Sequence, residues 1–419
     1  VSWQGKVLRL SLCAGLAALL LPRCEPVAAG LRVRPETFRV GPNPSAIIAV
    51  DINGDKWPEI ITADRGTLSD LREERPANDE LSLLIGQGDL KYQKHHPSLK
   101  TDFGPYAIAV ANIDAHRWPD ILVASFHATR RRDVSLFLNL QEEGIYKPIY
   151  LEVPGEPLTY ARQVDGDGTP IFHKPGLTSI KVGDINKDGL RDAVAVGWGS
   201  DSLITMHGDS EAMLLPPQSI PLSGGPFSLA LVDINHDKIL DVAVTLMASN
   251  EVAVLRGDGD GGFEEVQRFA SRGRLPHRLE WADINQDGQE DLVVSHKYTD
   301  DSIMIFYGAG DFSFPVSQEI LLGPDRDVLE HEIRDITIGD FNQDGFPDIA
   351  AACFESAQVI TLITDNSKNK SFLEFQRASH TFKDGKPRAL DTADLNQDEK
   401  DDVVVALWGL NEVGILLNQ

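Results

Sequence analysis

The sequence predicts an all-β fold: a seven-bladed β-propeller of four-stranded antiparallel blades, the last blade closed by the N-terminal strand. Three observations lead there. An acidic nonapeptide returns seven times, as DINGDKWPE (51–59), NIDAHRWPD (112–120), DINKDGLRD (184–192), DINHDKILD (233–241), DINQDGQED (283–291), DFNQDGFPD (340–348) and DLNQDEKDD (394–402). The copies start 61, 72, 49, 50, 57 and 54 residues apart, a period that marks a repeat architecture. Around each copy lie short β-type runs broken by Gly, Asp and Asn, with no helical period, as in antiparallel sheets. Finally, the last repeat stops after its third run, at residues 413–417, while residues 32–40 supply an extra run ahead of the first repeat. Seating that extra run in the last blade closes the ring and removes an edge open to aggregation.

Each blade reads the same way from its first strand outward. Four positions before the loop stand Ile47, Ile108, Ile180, Leu229, Leu279, Ile336 and Leu390, all large aliphatics. The residues directly before the loop are small: Val50, Ala111, Gly183, Val232, Ala282, Gly339 and Ala393. Side chains alternate faces along a strand, so one set packs between blades and the other lines a narrow channel. On the channel set lie Ile48, Ala109, Lys181, Ala230, Glu280, Thr337 and Asp391. Lys181, Glu280 and Asp391 can form a buried charged layer there, or line a solvated channel. A second run leaves the loop, as at 292–294 and 403–406, and a third follows a turn, as at 252–255 and 359–363. A fourth often carries aromatics, as with Phe263, Phe312 and Phe314.

Composition narrows the partners. Against 39 Lys and Arg stand 64 Asp and Glu, a net charge of -25, so no basic footprint exists for nucleic acid or an anionic membrane. Residues 1–29 read as an export signal: Lys6 and Arg9 precede an apolar run at 10–21, and Val27, Ala28 and Ala29 offer a small-residue cleavage site. The run is too short for a confident membrane span. Residues 30–419 are then one domain, secreted, periplasmic or held at a cell surface, with bacterial export favoured and no membrane span after cleavage. Cys13 and Cys24 leave with the signal, and Cys353 is left as a small buried hydrophobe with no disulfide partner. A monomer is expected.

The loops form a metal-ligand pattern. Calcium takes six to eight hard oxygens, which a nine-residue turn supplies from side chains at 1, 3, 5 and 9 and a carbonyl at 7. Asp184, Asn186, Asp188 and Asp192; Asp283, Asn285, Asp287 and Asp291; and Asp340, Asn342, Asp344 and Asp348 meet every requirement. Gly189, Gly288 and Gly345 stand where a left-handed bend is needed. Asp51, Asn53, Asp55 and Glu59; Asp233, Asn235, Asp237 and Asp241; and Asp394, Asn396, Asp398 and Asp402 keep the oxygens but carry Lys56, Lys238 and Glu399 at the bend. The second copy has Asn112 and His116 in place of two carboxylates and reads as an empty turn. Three to six Ca²⁺ sites are therefore expected, with tight Asp/Asn turns as the competing explanation and magnesium as second choice. Hard oxygens without paired His or Cys exclude a zinc pattern.

At these loops the chain resembles the FG-GAP/VCBS repeat family, the calcium-loop propellers also found in integrin alpha-subunit heads. The resemblance covers residues 31–419 and implies a seven-bladed propeller with calcium between the first two strands of each blade. It implies no single activity, since the scaffold serves adhesion, sugar binding and, in some polysaccharide lyases, catalysis.

Recognition is expected on the opposite face. Six positions before each loop stand Ser45, Tyr106, Thr178, Phe227, His277, Arg334 and Arg388; fourteen after its start stand Arg65, Phe126, Trp198, Met247, Lys297, Phe354 and Trp408. Of these, Tyr106, Trp198, His277, Arg334, Arg388 and Trp408 are the candidate ligand-binding residues, for a glycan or an extracellular protein. Phe126, Met247 and Phe354 read rather as core. Two insertions, 66–80 and 155–176, the second with Asp165 and Asp167, read as surface loops. No nucleophile, zinc-protease, P-loop or dinucleotide motif appears, and no catalytic residue is assigned. The alternative is a polysaccharide lyase or other carbohydrate-active enzyme with His277 or His331 as base.

Overall fold

The computed structural model describes residues 30–66, 78–114, 118–126, 128, 132–140, 146–154, 176–210, 214–297, 301–323, 330–365 and 372–418. Residues 1–29, expected to be an export signal, most of both insertions and His116 lie outside these residues. Seven antiparallel sheets follow one another along the chain, six built from consecutive strands and the last from three C-terminal strands joined by N-terminal ones. Blade 4 is representative: Pro226–Val232, Asp241–Leu246, Glu251–Gly257 and Phe263–Ala270 pair in that order. The first strands of neighbouring blades pack against one another all the way round, and that of blade 7 (Pro387–Ala393) meets that of blade 1 (Pro44–Val50), closing the circle. No helix occurs among the described residues.

Blade 7 is completed as the chain ends imply. Leu31–Val33 pairs antiparallel with Glu412–Asn418, placing Leu31 opposite Asn418, and Phe38–Arg39 pairs with the start of the same strand. The Thr37 hydroxyl donates to Glu412 and the Asn43 amide to the Asn411 side chain, so side chains bind the clasp as well.

Second strands are the most deeply buried, every residue of all seven being buried. Their Ala, Val, Ile and Leu side chains fill the layers between blades, as with Val194, Val196, Leu229, Val242 and Val244 between blades 3 and 4. Removing such surface from water, at about 25 cal/mol per Å², is what holds a ring without disulfides together. Cys353 belongs to this packing, fully buried among Ile349, Ala351 and Ile360.

First strands line the channel with the expected set. A polar cavity of about 180 Å³ is bounded by Lys181, Glu280, Thr337 and Asp391 together with Arg278 and Asp335. Arg278 Nε lies 2.9 Å from Asp335, and Asp391 accepts the Ala49 N–H at 2.7 Å. Burial pushes the Asp391 carboxyl up to about 7, with the Ala49 and Thr392 amides and Lys181 pulling down and Glu280 adding to the rise. Burial likewise raises Glu280, against the pull of Lys181.

Candidate functional site

Two ring-shaped constellations stand at opposite ends of the channel, and each is built by a device repeated in every blade.

At the acidic-loop end the ninth residue is the anchor. Asp192 accepts the N–H of Ile185, the second loop residue, at 2.8 Å, and with its other oxygen the N–H of Gly208 just past the third strand, also at 2.8 Å. Asp120, Asp241, Asp291, Asp348 and Asp402 do the same, reaching Asn139, Gly257, Gly308, Thr364 and Asn418. Glu59 accepts the Ile52 N–H in blade 1. All seven residues are 0% exposed, so each carboxylate satisfies backbone donors that water cannot reach. The sequence reading gave this position only the task of closing a metal shell; the backbone partners, 16 residues away in most blades, leave no side-chain pattern to read. They also explain why the second copy keeps Asp120 although Asn112 and His116 stand in place of its first and fifth carboxylates.

The remaining loop oxygens brace the turn. In blade 6, Asp340 accepts the Asp344 and Gly345 amides, Asn342 the Asp344 amide and Asp344 the Phe346 amide. The sixth residue is left-handed in all six loops where it is described: Gly189 (φ 86°), Gly288 (φ 87°) and Gly345 (φ 82°), but also Lys56 (φ 76°), Lys238 (φ 68°) and Glu399 (φ 65°). The bend thus persists without glycine, at a backbone cost of about 1–2 kcal/mol per residue. The fourth position is left-handed too, as at Gly54, Lys187 and Gln286, which the sequence did not announce.

These loops suit a hard cation by donor chemistry. Asp184 Oδ1 is buried and meets no hydrogen-bond donor. The ninth carboxylates are raised, Asp291, Asp348 and Asp402 to about 7, by burial first and then by the first and fifth acids of their own loop. A divalent ion would relieve that crowding. In the geometry seen, no three Asp, Glu, His or Cys side chains among the described residues converge as a metal group.

At the other end the repeated device is in the backbone. Eight positions before each loop the chain is left-handed: Asn43, Gly104, Gly176, Gly225, Leu275, Glu332 and Lys386, with φ from 49° to 71°. The carbonyls of these residues accept the N–H of Arg65, Phe126, Trp198, Met247, Lys297, Phe354 and Trp408 respectively. Immediately after, the register between first and second strands shifts in every blade, at Ser45, Tyr106, Thr178, Phe227, His277, Arg334 and Arg388. A bulge leaves one residue unpaired and turns its side chain out of the sheet alternation. Both sets picked out in the sequence are therefore presented by one motif, and the structure brings them together.

They pack closely. Tyr106, Phe126 and Phe227 form an apolar cluster flanked by Trp198 and Met247. The Arg65 guanidinium lies 5.1 Å from the ring centres of both Tyr106 and Phe126. At its bulge blade 1 carries only the small Ser45, and Arg388 of blade 7 reaches Tyr106 of blade 2, donating to its hydroxyl at 2.8 Å. Arg334 pairs with Glu332 and lies 4.8 Å from the Phe354 ring, whose edge meets Trp408. His277 packs on Phe227 at 4.5 Å between ring centres. Tyr106, His277 and Arg388 are buried, while Trp198, Arg334 and Trp408 are partly exposed at the rim. Phe126 is buried as expected of core, whereas Met247 and Phe354 are only partly so.

Charge is concentrated here. Burial first, then Arg334 and Arg388, lower the Lys297 ammonium to about 7 against the pull of Glu332. Burial, with Arg388 and Arg334 adding and Tyr106 opposing, lowers Arg65 to about 10. His277 is held well below its ordinary value by burial and then by Lys297, Arg388, Arg278 and Arg334. Burial raises the Tyr106 phenol, but the four arginines around it pull it below its usual value. His331 lies apart, its Nδ1 2.9 Å from the Ser356 hydroxyl and its Nε2 3.0 Å from the Leu322 carbonyl.

Comparison with known proteins agrees with this anatomy. FG-GAP-like repeats match residues 184–244, 237–294, 283–351 and 340–405. A stretch of 77 residues is 39% identical to integrin alpha-3 of Mus musculus and of Cricetulus griseus, covering 16% of this chain and 7% of those relatives. Among solved structures, BBS1N in complex with ARL6DN superposes with TM-score 0.58 at 14% identity, covering 93% of this chain and 97% of that one. The periplasmic gluconolactonase of Pseudomonas aeruginosa gives 0.55 at 14%, over 90% and 89%. A putative 6-phosphogluconolactonase from Bacteroides uniformis gives 0.55 at 15%, over 82% and 87%. At such identities these likenesses show the propeller fold alone. With four matched repeats spanning more than half its length and seven blades in the structure, the chain belongs to the FG-GAP-like repeat family.

Proposed function

We propose that this chain is an exported, calcium-stabilised binding module that takes a glycan or an extracellular protein on the face opposite the acidic loops. One observation carries the reading: seven bulges at one position of the repeat present largely differing side chains, with the seven that follow the second strands, around a single channel mouth. A backbone motif repeated in register with varied side chains is how a scaffold displays a recognition surface. Partly exposed Trp198, Phe354 and Trp408 offer stacking faces, and Arg334 a charged group beside them. The lyase alternative has less support, since His277 is 1% exposed and both His331 ring nitrogens have hydrogen-bond partners.

The test is a glycan array and a protein-capture screen with the purified chain in millimolar calcium. Saturable binding that Trp408→Ala and Trp198→Ala weaken about ten-fold each, without a change of fold, supports the reading. Turnover of an acidic polysaccharide with release of an unsaturated product would replace it by the lyase. For calcium, each site a hundred-fold above its dissociation constant adds about 2.7 kcal/mol. The expected result is a melting temperature that climbs with millimolar calcium and falls with chelator, with bound ions counted by native mass spectrometry. An unchanged melting temperature and no bound metal would leave the loops as plain turns.

A further inference from the structure

The centre of the aromatic and cationic ring holds two polar side chains whose hydrogen-bonding capacity goes unused. Arg388 is 3% exposed; its Nη2 donates to Tyr106, but its Nη1 is buried and meets no acceptor. His277 is 1% exposed, and neither of its ring nitrogens has a partner. Both residues sit at the bulge of their blades, 7 and 5, so the same backbone device turns each toward the channel mouth. Buried polar groups in native proteins are nearly always hydrogen-bonded, and an unmet charged donor is the costliest kind to leave.

The surroundings indicate the sign of what would meet them. Arg65, Lys297 and Arg334 lie close enough to Arg388 or His277 to perturb one another: the charged forms of Arg65, Lys297 and His277 are disfavoured by cationic neighbours, with Tyr106 opposing at Arg65 and Glu332 at Lys297. A water molecule would satisfy one donor and leave that repulsion in place. An acid would satisfy the donor and relieve the repulsion together. Because so little of Arg388 and His277 reaches the surface, only a compact group could approach their donors.

We propose that this centre is a binding site for one small monovalent anion, a halide or a single carboxylate, held by Arg388 Nη1 and a ring N–H of His277. Arg65, Lys297 and Arg334 supply the surrounding field. Chloride from solution and the carboxylate of a bound acidic sugar present the same chemistry to these donors. The sugar source rests on the binding-module reading above, whereas the halide source stands without it.

The experiment is ³⁵Cl line broadening on the full chain in a bulky sulfonate buffer at fixed calcium, with melting temperature followed over the same chloride titration. Saturable broadening and a matching rise in melting temperature are expected, with formate competing for the site. Arg388→Gln is expected to weaken chloride about ten-fold, the loss of one charged hydrogen bond, and Arg388→Lys to weaken it less. Competition by glucuronate but not by glucose identifies the acidic-sugar source; competition by formate alone identifies solvent halide. Absence of broadening in the unmodified chain, with melting equal in chloride and sulfonate, overturns the proposal. That readout needs no variant, so an Arg388→Gln chain that fails to fold does not blunt it. A blank glycan array beside clear chloride binding would count against the binding-module reading alone.

Discussion

At the acidic-loop end every blade places a carboxylate against the N–H of its second loop residue, whereas at the opposite end the blades share a backbone path and hang largely different side chains on it. The first arrangement standardises side chains because they do a backbone's work: they satisfy amides inside the sheet. The second standardises the backbone, through a left-handed residue, a bulge and one N–H to carbonyl bond, and so frees the side chains to differ. Stability is thus built mainly at one end, and room for specificity is kept at the other.

The largest test of that division is the ninth carboxylate. Asp348→Ala strips acceptors from the buried Phe341 and Thr364 amides and is expected to cost about 2–5 kcal/mol in urea unfolding. Asp120→Ala should cost a similar amount and, because Asn112 and His116 replace the first and fifth acids of its loop, the same in chelator as in calcium. If Asp348→Ala costs more in calcium than in chelator, that residue holds metal as well as backbone. At the other end Trp408→Ala should lower stability by no more than about 1–2 kcal/mol while abolishing most ligand binding. Equal losses of stability at both ends would break the comparison.

A smaller effect comes from the channel between the ends. The Asp391 carboxyl sits near 7 in the folded chain, above the ordinary 3.8. The folded state therefore holds a proton that the unfolded state has lost. Its contribution to stability is complete below about pH 4 and disappears as pH rises through 7. Asp391→Asn should flatten the stability profile between those limits by at most about 1.4 kcal/mol per pH unit. An unchanged slope would show that Lys181 already compensates the charge. Smallest is the bend itself: Lys238→Gly should stabilise by about 1 kcal/mol, since its φ of 68° strains any side chain. Gly288→Ala should cost as much through φ alone, because nothing lies within 4 Å of an added Cβ.

The same division explains what could be read in the sequence. Blade number, strand order, the closing strand and the channel-lining positions were legible, because each rests on side-chain type recurring at fixed spacing. The residues around the channel mouth were legible as a list for the same reason. Their presentation was not: Asn43, Leu275, Glu332 and Lys386 adopt the left-handed conformation of Gly104, Gly176 and Gly225 without glycine's signature. The burial of His277 and Arg388 also escaped, since it depends on how far Tyr106, Phe227 and the rim aromatics crowd inward from other blades.

The clasp of blade 7 has a mechanical consequence. Leu31 faces Asn418, Arg32 faces Leu417 and Val33 faces Leu416, so the two paired segments leave the sheet side by side. Tension applied through residues 30 and 418 would load the Leu31–Asn418 pair first and part the strands like a zipper, one rung at a time, instead of shearing all rungs together. A ring that withstands heat through seven packed layers would thus yield under modest traction at a single seam, and opening that seam would uncover the edge of the last blade.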